Sequence, residues 1–241
     1  MAPPVVCFGA AHVDRRARAI GAVALATSNP VTVTRGAGGV ARNVAETLAR
    51  LGRSVALVSR VGDDPDGAQV TADLARLGVD VAAVGRSPRR PTASYTALID
   101  PAGELVVALA DMAIYDELTA DALRPALDRL AGHTVWFLDA NLPAGAIAFL
   151  LRARPAGATV AVDAVSVAKA ARLAGLLDGI DLLFCNRDEA AALSGMAVAT
   201  PADAAAAADA LRRRGARAVV VGCGDAEPDA VGDRPVQAVS V

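Results

Sequence analysis

Apolar residues fall into short runs separated by longer amphipathic stretches. The runs at residues 5–8, 55–58, 135–138, 160–162, 182–184 and 218–221 are too short for helices and nearly free of polar breaks, which predicts strands buried on both faces. The stretches between them read as helices. After residue 199 the punctuation of a helix is explicit: Thr200 as N-cap, Pro201 at the first helical position and Asp203 near the positive end. Arg212, Arg213 and Arg214 then stand at the negative end before Gly215. Strand, helix and strand in repetition predict a parallel sheet covered on both faces, with ligands bound at the carboxyl ends of the strands.

Two regions break this rhythm. Residues 31–34 alternate, and residues 94–99 and 105–109, on either side of Pro101-Ala102-Gly103, read as a hairpin with polar and apolar residues on opposite faces. The expectation is an α/β domain over residues 1–241, a three-layer sandwich around a mostly parallel sheet. A small β-sheet outside the main layer takes residues of about 15–35 and 92–112. Such a flap covers a ligand or pairs with another subunit, and a surface hairpin without a role fits the pattern nearly as well.

Composition narrows the class. At 241 residues and 54% hydrophobic, the chain has ample material for a core, which excludes disorder as its main state. A formal charge of -2 gives no reason to expect a nucleic-acid or membrane-surface partner. Cys7, Cys185 and Cys223 are far apart with no Cys-x-x-Cys pair, so neither a disulfide framework nor a structural zinc site is supported, and a reducing cytoplasm is expected. No leader-like N-terminus and no apolar stretch of about 18 residues is found. His12 and His133 lack a nearby ligand set and read as strand-end residues.

Candidate chemistry lies just after the predicted strands. Asp14 follows the first strand, where a carboxylate would face the ligand crevice and could be satisfied by sugar hydroxyls, although an Asp there also forms turns. In Gly36-Ala37-Gly38-Gly39-Val40-Ala41-Arg42-Asn43, glycines permit close backbone approach and the following helix offers free amides, with Asn43 one turn in. Taken alone, this is also a flexible loop before a helix. The glycines match neither a dinucleotide-binding Gly-x-Gly-x-x-Gly nor a P-loop.

From Gly38 onward, Gly38, Gly39, Ala41, Asn43, Ala45, Gly52 and Gly62 match the first signature of the ribokinase-like (PfkB) carbohydrate kinases, and the chain resembles that family. Other stretches are similar to its pseudouridine kinase branch: Ser28-Asn29-Pro30, Thr92-Ala93-Ser94-Tyr95, Asp111-Met112, Asp139-Ala140-Asn141, Asp163-Ala164-Val165-Ser166 with Lys169, and Asn186-Arg187-Asp188-Glu189. The resemblance implies a ribokinase-like fold with a β-lid and ATP-dependent phosphorylation of a nucleoside 5′-hydroxyl, with other sugar or nucleoside kinases of the family as the alternative.

Carried over residue by residue, the resemblance makes Asp14 the ribose-binding aspartate, Gly38 and Gly39 the glycines against the sugar, and Asn43 and Asn141 further substrate contacts. Ser28, Asn29, Ser94 and Asp111 fall in the implied lid and could recognise a base. Asn186 and Glu189 resemble the family's Asn-x-x-Glu, whose Glu holds Mg²⁺ through water near the phosphates of ATP; the same pair also reads as a helix capping box. A small-molecule nucleoside or sugar is the implied partner, a homodimer through the lid is a further expectation, and a pseudouridine glycosidase is a partner by pathway logic alone.

The family's late Gly-Ala-Gly-Asp, which supplies the anion hole and the catalytic base, is absent from these 241 residues, so no catalytic residue is assigned. Gly222-Cys223-Gly224-Asp225 does not match it, and Gly224-Asp225-Ala226-Glu227 ends in a carboxylate where the family's nucleotide loop has glycine. The chain is therefore expected to be a fragment of a kinase with little turnover of its own. A shortened nucleoside-binding relative and a structural partner of a complete subunit are the alternatives.

Overall fold

The structure, a computed structural model, describes residues 2–224 and 236–240. The chain enters through β1 (Val5–Phe8) and continues into β2 (His12–Ala19), which pairs antiparallel with β3 (Val31–Gly38) from His12 opposite Gly38 to Ala19 opposite Val31. Helix α1 (Val40–Arg50), β4 (Val55–Gly62), α2 (Pro65–Arg76) and β5 (Asp80–Ser87) follow. A hairpin of β6 (Ser94–Ile99) and β7 (Leu105–Asp111) leads through a 3₁₀ turn (Ala113–Glu117) to α3 (Ala120–Arg129). The remainder alternates: β8 (Val135–Asp139), α4 (Ala144–Ala153), β9 (Thr159–Asp163), α5 (Val167–Ala170), β10 (Leu182–Asn186), α6 (Arg187–Ser194), α7 (Pro201–Arg213), β11 (Ala218–Gly222) and β12 (Val236–Ser240).

The main sheet has the order β12-β11-β10-β9-β8-β1-β4-β5, parallel throughout except for β12, which runs antiparallel to β11. The second sheet, of order β3-β2-β6-β7, stands apart from it. An α/β layered fold with a small separate sheet is thus what the apolar runs indicate, and β1 and β6 begin and end where the sequence pattern puts them. Two strands escape that pattern. In β2, His12-Val13-Asp14-Arg15-Arg16-Ala17-Arg18-Ala19 is too polar to read as a strand, and β5 has Asp80, Gly85 and Arg86 among its apolar residues.

One face of the main sheet packs Phe8, Trp136, Leu138, Val160, Leu183 and Val219 against α3, α4, α6 and α7 in a single buried cluster. On the other face, α1 and α2 bury Cys7, Leu57, Val70 and Leu74, and the cluster reaches the partly buried Ala161 and Phe184. Each fully buried Leu there stabilises the fold by about 1.5–3 kcal/mol relative to exposure.

The hairpin departs from its expected segregation of polar and apolar faces. Leu105, Val107 and Leu109 are 58%, 46% and 64% exposed and Val106 on the opposite face is 42% exposed, because β7 is the edge strand of the small sheet. Helix α7 keeps its sequence grammar: Thr200 and Asp203 form a reciprocal capping box on either side of Pro201. No helix of the described residues is long and apolar enough to cross a membrane.

Candidate functional site

The carboxyl ends of β1, β8 and β9 meet the start of α1, and Asp139 is the centre of that meeting. It ends the apolar run Val135-Trp136-Phe137-Leu138 and is fully buried. Its Oδ2 accepts from the backbone N–H of Ala10 (2.9 Å), after β1, and of Ala41 (2.8 Å), in the first turn of α1, while Oδ1 accepts from Asn141 N–H at 2.9 Å. Burial pushes the Asp139 carboxyl up, and these amides, with the positive end of α1, oppose that. One carboxylate thereby ties three chain segments together.

The glycine-rich segment is not a loop. Gly36 and Gly38 lie in β3 opposite Asp14 and His12 of β2, and Gly39 is the N-cap of α1. Gly39 has φ of 102°, and a Cβ on it would stand 2.3 Å from the Ala10 carbonyl oxygen. A Cβ on Gly38 would stand 2.4 Å from Asp14 Oδ1 and 2.6 Å from His12 Nε2. Glycine at 38 is therefore what lets the two side chains lie over the β3 backbone. The Asp14 side chain is 35% exposed, with Oδ1 3.1 Å from His12 Nε2.

Asn43 sits in the second turn of α1, exposed, with its amide oxygen accepting from Arg42. Ser94 and Asp111 face one another at the base of the β6–β7 hairpin; Ser94 is also beside Val13 of β2, in the strand next to Asp14, whereas Asp111 stands one strand further out. Asn29 is occupied locally: its side chain accepts from Ala24 N–H at 2.8 Å and donates to the carbonyls of Ala24 and Thr27. These contacts close the turn between β2 and β3, which also carries Ser28.

A second cluster lies beyond β8. Asn141 is buried, and its amide oxygen accepts from Lys169, the only lysine of the chain. Burial lowers the Lys169 ammonium, the Asp139 charge raises it and Arg172 lowers it again. Arg172 Nη1 donates to the carbonyls of Ala140, Asn141 and Leu142 at 3.0, 2.8 and 3.2 Å, pinning the turn after β8. Asp163, at the end of β9, accepts one amide, from Val165 at 2.8 Å, and Val165 itself holds φ of 67°, a strained backbone for a β-branched residue. Burial, with the charges of Glu189 and Asp139, pushes the Asp163 carboxyl up to about 7 against the pull of the Val165 amide.

Asn186 and Glu189 do form the capping box of α6. Asn186 N–H and Nδ2 donate to Glu189 Oε2 and Oε1, each at 2.9 Å, and Glu189 N–H donates back to Asn186 Oδ1 at 2.9 Å. Burial pushes the Glu189 carboxyl up and the Asp188 charge adds to it, with the Asn186 amide opposing. Among the described residues no group of three or more His, Cys, Asp or Glu side chains is arranged to hold a metal ion. Gly222, Cys223 and Gly224 are described, whereas Asp225, Ala226 and Glu227 lie outside the described residues.

Of the residues that the sequence singles out, Gly39 and Asn141 lie by the carboxyl ends of β1 and β8, whereas Asp14 and Gly38 stand in β2 and β3 of the second sheet; no role was read for Asp139, His12 or Arg172. Asp139 left one signal, a lone carboxylate closing an apolar strand. Arg172 left none, because its partners are 30–32 residues away; His12 left only its spacing of two from Asp14, its other partner, Tyr115, being 103 residues away.

The profile of the pfkB family carbohydrate kinases matches residues 3–241. The pseudouridine kinase of Escherichia coli (strain K12) is 34% identical over 220 residues, 91% of this chain and 70% of that protein. An uncharacterized sugar kinase of the same organism is 32% identical over 216 residues, 90% of this chain but only 59% of its own length. A carbohydrate kinase from Agrobacterium tumefaciens superposes with a TM-score of 0.80 at 33% identity, covering 91% of this chain and 70% of that structure. Arabidopsis thaliana ribokinase, solved with ribose and ATP, shares the fold at a TM-score of 0.77 and 23% identity, over 92% of this chain and 72% of that one. With the family signature running from the end of β3 through α1 to the end of β4 and the profile spanning the sheet from β1 to β12, this chain belongs to the pfkB family of carbohydrate kinases.

Proposed function

We propose that the chain carries the acceptor-binding part of a nucleoside kinase, with pseudouridine as the acceptor and its ribose 5′-hydroxyl as the site of phosphorylation. The observation that carries this reading is the Asp14–Gly38 arrangement: a part-exposed carboxylate held over a strand that only glycine permits, beside a helix start fixed by Asp139. A carboxylate accepts two hydroxyl hydrogen bonds in one plane, which suits vicinal ribose hydroxyls. The identity with Escherichia coli pseudouridine kinase supports the choice of nucleoside.

In this reading Asp14 grips the ribose, Gly38 and Gly39 bring the backbone against it, and Asn43 and Asn141 bracket it from α1 and from the turn after β8. Ser94 and Asp111, in the lid formed by β2, β3, β6 and β7, face the base. ATP supplies the phosphoryl group. Holding the acceptor hydroxyl in one orientation is itself worth a large part of a phosphoryl-transfer barrier.

Mg²⁺ would sit near Glu189. Each oxygen of that carboxylate accepts one bond from Asn186 and keeps a lone pair, which fits contact with a hydrated Mg²⁺ through water and not direct coordination by several carboxylates. Asn186 holds the carboxylate in place for that contact, and Lys169 stands near enough to Asp139 to feel its charge.

Calorimetric titration with pseudouridine, uridine, adenosine, guanosine and ribose, repeated on Asp14→Ala, tests the reading. Pseudouridine should bind tightest, and Asp14→Ala should weaken it at least tenfold, the loss of about one charge-assisted hydrogen bond. Tighter binding of guanosine would move the acceptor to the purine nucleosides, and an unchanged affinity in Asp14→Ala would remove that residue from the site.

A further inference from the structure

Asp14 does not stand alone on β2. His12, on the same strand and the same side, is 9% exposed and has a partner on each ring nitrogen. Nε2 lies 3.1 Å from Asp14 Oδ1, and Nδ1 lies 3.3 Å from the hydroxyl of Tyr115, which is 2% exposed in the 3₁₀ turn after β7. An ionised carboxylate only accepts, so the nitrogen facing Asp14 must be the one that bears the proton. In a neutral imidazole the other nitrogen then accepts, and Tyr115 O–H is the donor in reach. Burial and the Asp139 charge both push the Tyr115 phenol up, which keeps its proton on the oxygen. The hydrogen bonds thus run in one direction, from Tyr115 to His12 to Asp14. Among the described residues Oδ2 of Asp14 has no protein donor.

We infer that His12, fixed as its Nε2–H tautomer by Tyr115, is a positioning residue that locks one oxygen of Asp14 and leaves the other to the acceptor's hydroxyls. The glycine at 38 belongs to the same device, since any side chain there would displace both Asp14 Oδ1 and His12 Nε2. The device also has a mechanical side. Tyr115 follows directly on the β6–β7 hairpin through Asp111, Met112, Ala113 and Ile114, so the hydroxyl that orients His12 is carried at the root of the lid. A freely rotating carboxylate would lose rotamer entropy on binding, and a pre-oriented one has already lost it.

The inference rests on the reading of Asp14 as the ribose-binding carboxylate, and its test separates the two. In the first arm, long-range proton–nitrogen NMR of the ¹⁵N-labelled full chain, without ligand, reads the tautomer of His12, with His133→Gln used to assign the second ring. An Nε2–H pattern is expected; an Nδ1–H or a doubly protonated ring at neutral pH overturns the relay whatever binds.

In the second arm, pseudouridine and ribose are titrated into His12→Ala, His12→Gln and Tyr115→Phe. His12→Ala should weaken binding about tenfold, and Tyr115→Phe several-fold with the ring packing kept. His12→Gln, whose amide can again donate to Asp14, should recover affinity to within about threefold. Equal losses in His12→Ala and His12→Gln would assign His12 to packing alone. Loss of binding in Asp14→Ala with none in His12→Ala would overturn the positioning role and leave the site intact. No loss in Asp14→Ala would overturn the reading of the site, and the positioning role with it, while the NMR result would still report the relay.

Discussion

Two stretches of the same sheet edge handle buried negative charge in opposite ways. Around β1 and β8, Asp139 is completely enclosed, yet both oxygens are met by backbone amides from three segments, and the charge becomes a structural joint. Around β9 and β10, Asp163 has a single amide, from a strained Val165, and feels the charges of Glu189 and Asp139. Its carboxyl is consequently left near neutrality, at about 7. Burial pushes both carboxyls up, and Asp139 is the deeper of the two; what distinguishes them is that three backbone amides oppose the shift at Asp139 and one at Asp163. Where amides converge, a carboxylate can fix the geometry of the segments around it. Where they are few, it stays responsive to protons.

Removing the joint should have the largest effect. Asp139→Ala leaves the N–H groups of Ala10, Ala41 and Asn141 buried without acceptors, and a loss of about 3–5 kcal/mol is expected in chemical denaturation. A variant as stable as the wild type would dissolve the contrast. Next comes the backbone that the joint holds. Gly39→Ala forces a Cβ to within 2.3 Å of the Ala10 carbonyl at a φ of 102°, which should cost roughly 2–3 kcal/mol and be visible as a lowered melting temperature.

The other stretch is sharpened by pH. Because the folded Asp163 carboxyl titrates at about 7 against 3.8 ordinarily, the folded chain holds a proton through that interval that the unfolded chain has released. Stability attributable to this group therefore falls as pH rises towards 7 and is flat above. Between pH 5.5 and 8 the drop should amount to about 1–2 kcal/mol, and Asp163→Asn should remove that slope. A variant with the same pH profile as the wild type would show that Asp163 titrates normally. The smallest effect is expected at the α6 cap: Asn186→Ala should cost about 1 kcal/mol, read by thermal melting. A loss as large as that of Asp139→Ala would mean that both stretches are joints.

Much of this architecture follows from local pattern. Apolar runs marked the buried strands, and Thr200-Pro201 with Arg212 and Gly215 marked α7, because burial on two faces and helix-end electrostatics act over a few residues. The hairpin of β6 and β7 was legible from its turn, yet its apolar exposure was not, since exposure depends on which strand forms the edge. The glycine-rich segment is visible as chemistry ahead of a helix, but its place in a strand is not. Its pairing with β2 depends on a polar strand that carries no alternation of its own.

Local sequence by itself determined the layered α/β fold and the family signature from Gly38 to Gly62. It also determined that a carboxylate would stand at position 14 after the first strand. Only the tertiary structure decided that Asp139 gathers Ala10 and Ala41, that Tyr115 orients His12 against Asp14, and that Asp163 is left short of donors. The physical reason is distance along the chain. A hydrogen bond between residues 98, 103 or 129 positions apart leaves no periodicity to read, and whether a buried charge is satisfied is known only when the segments around it have met.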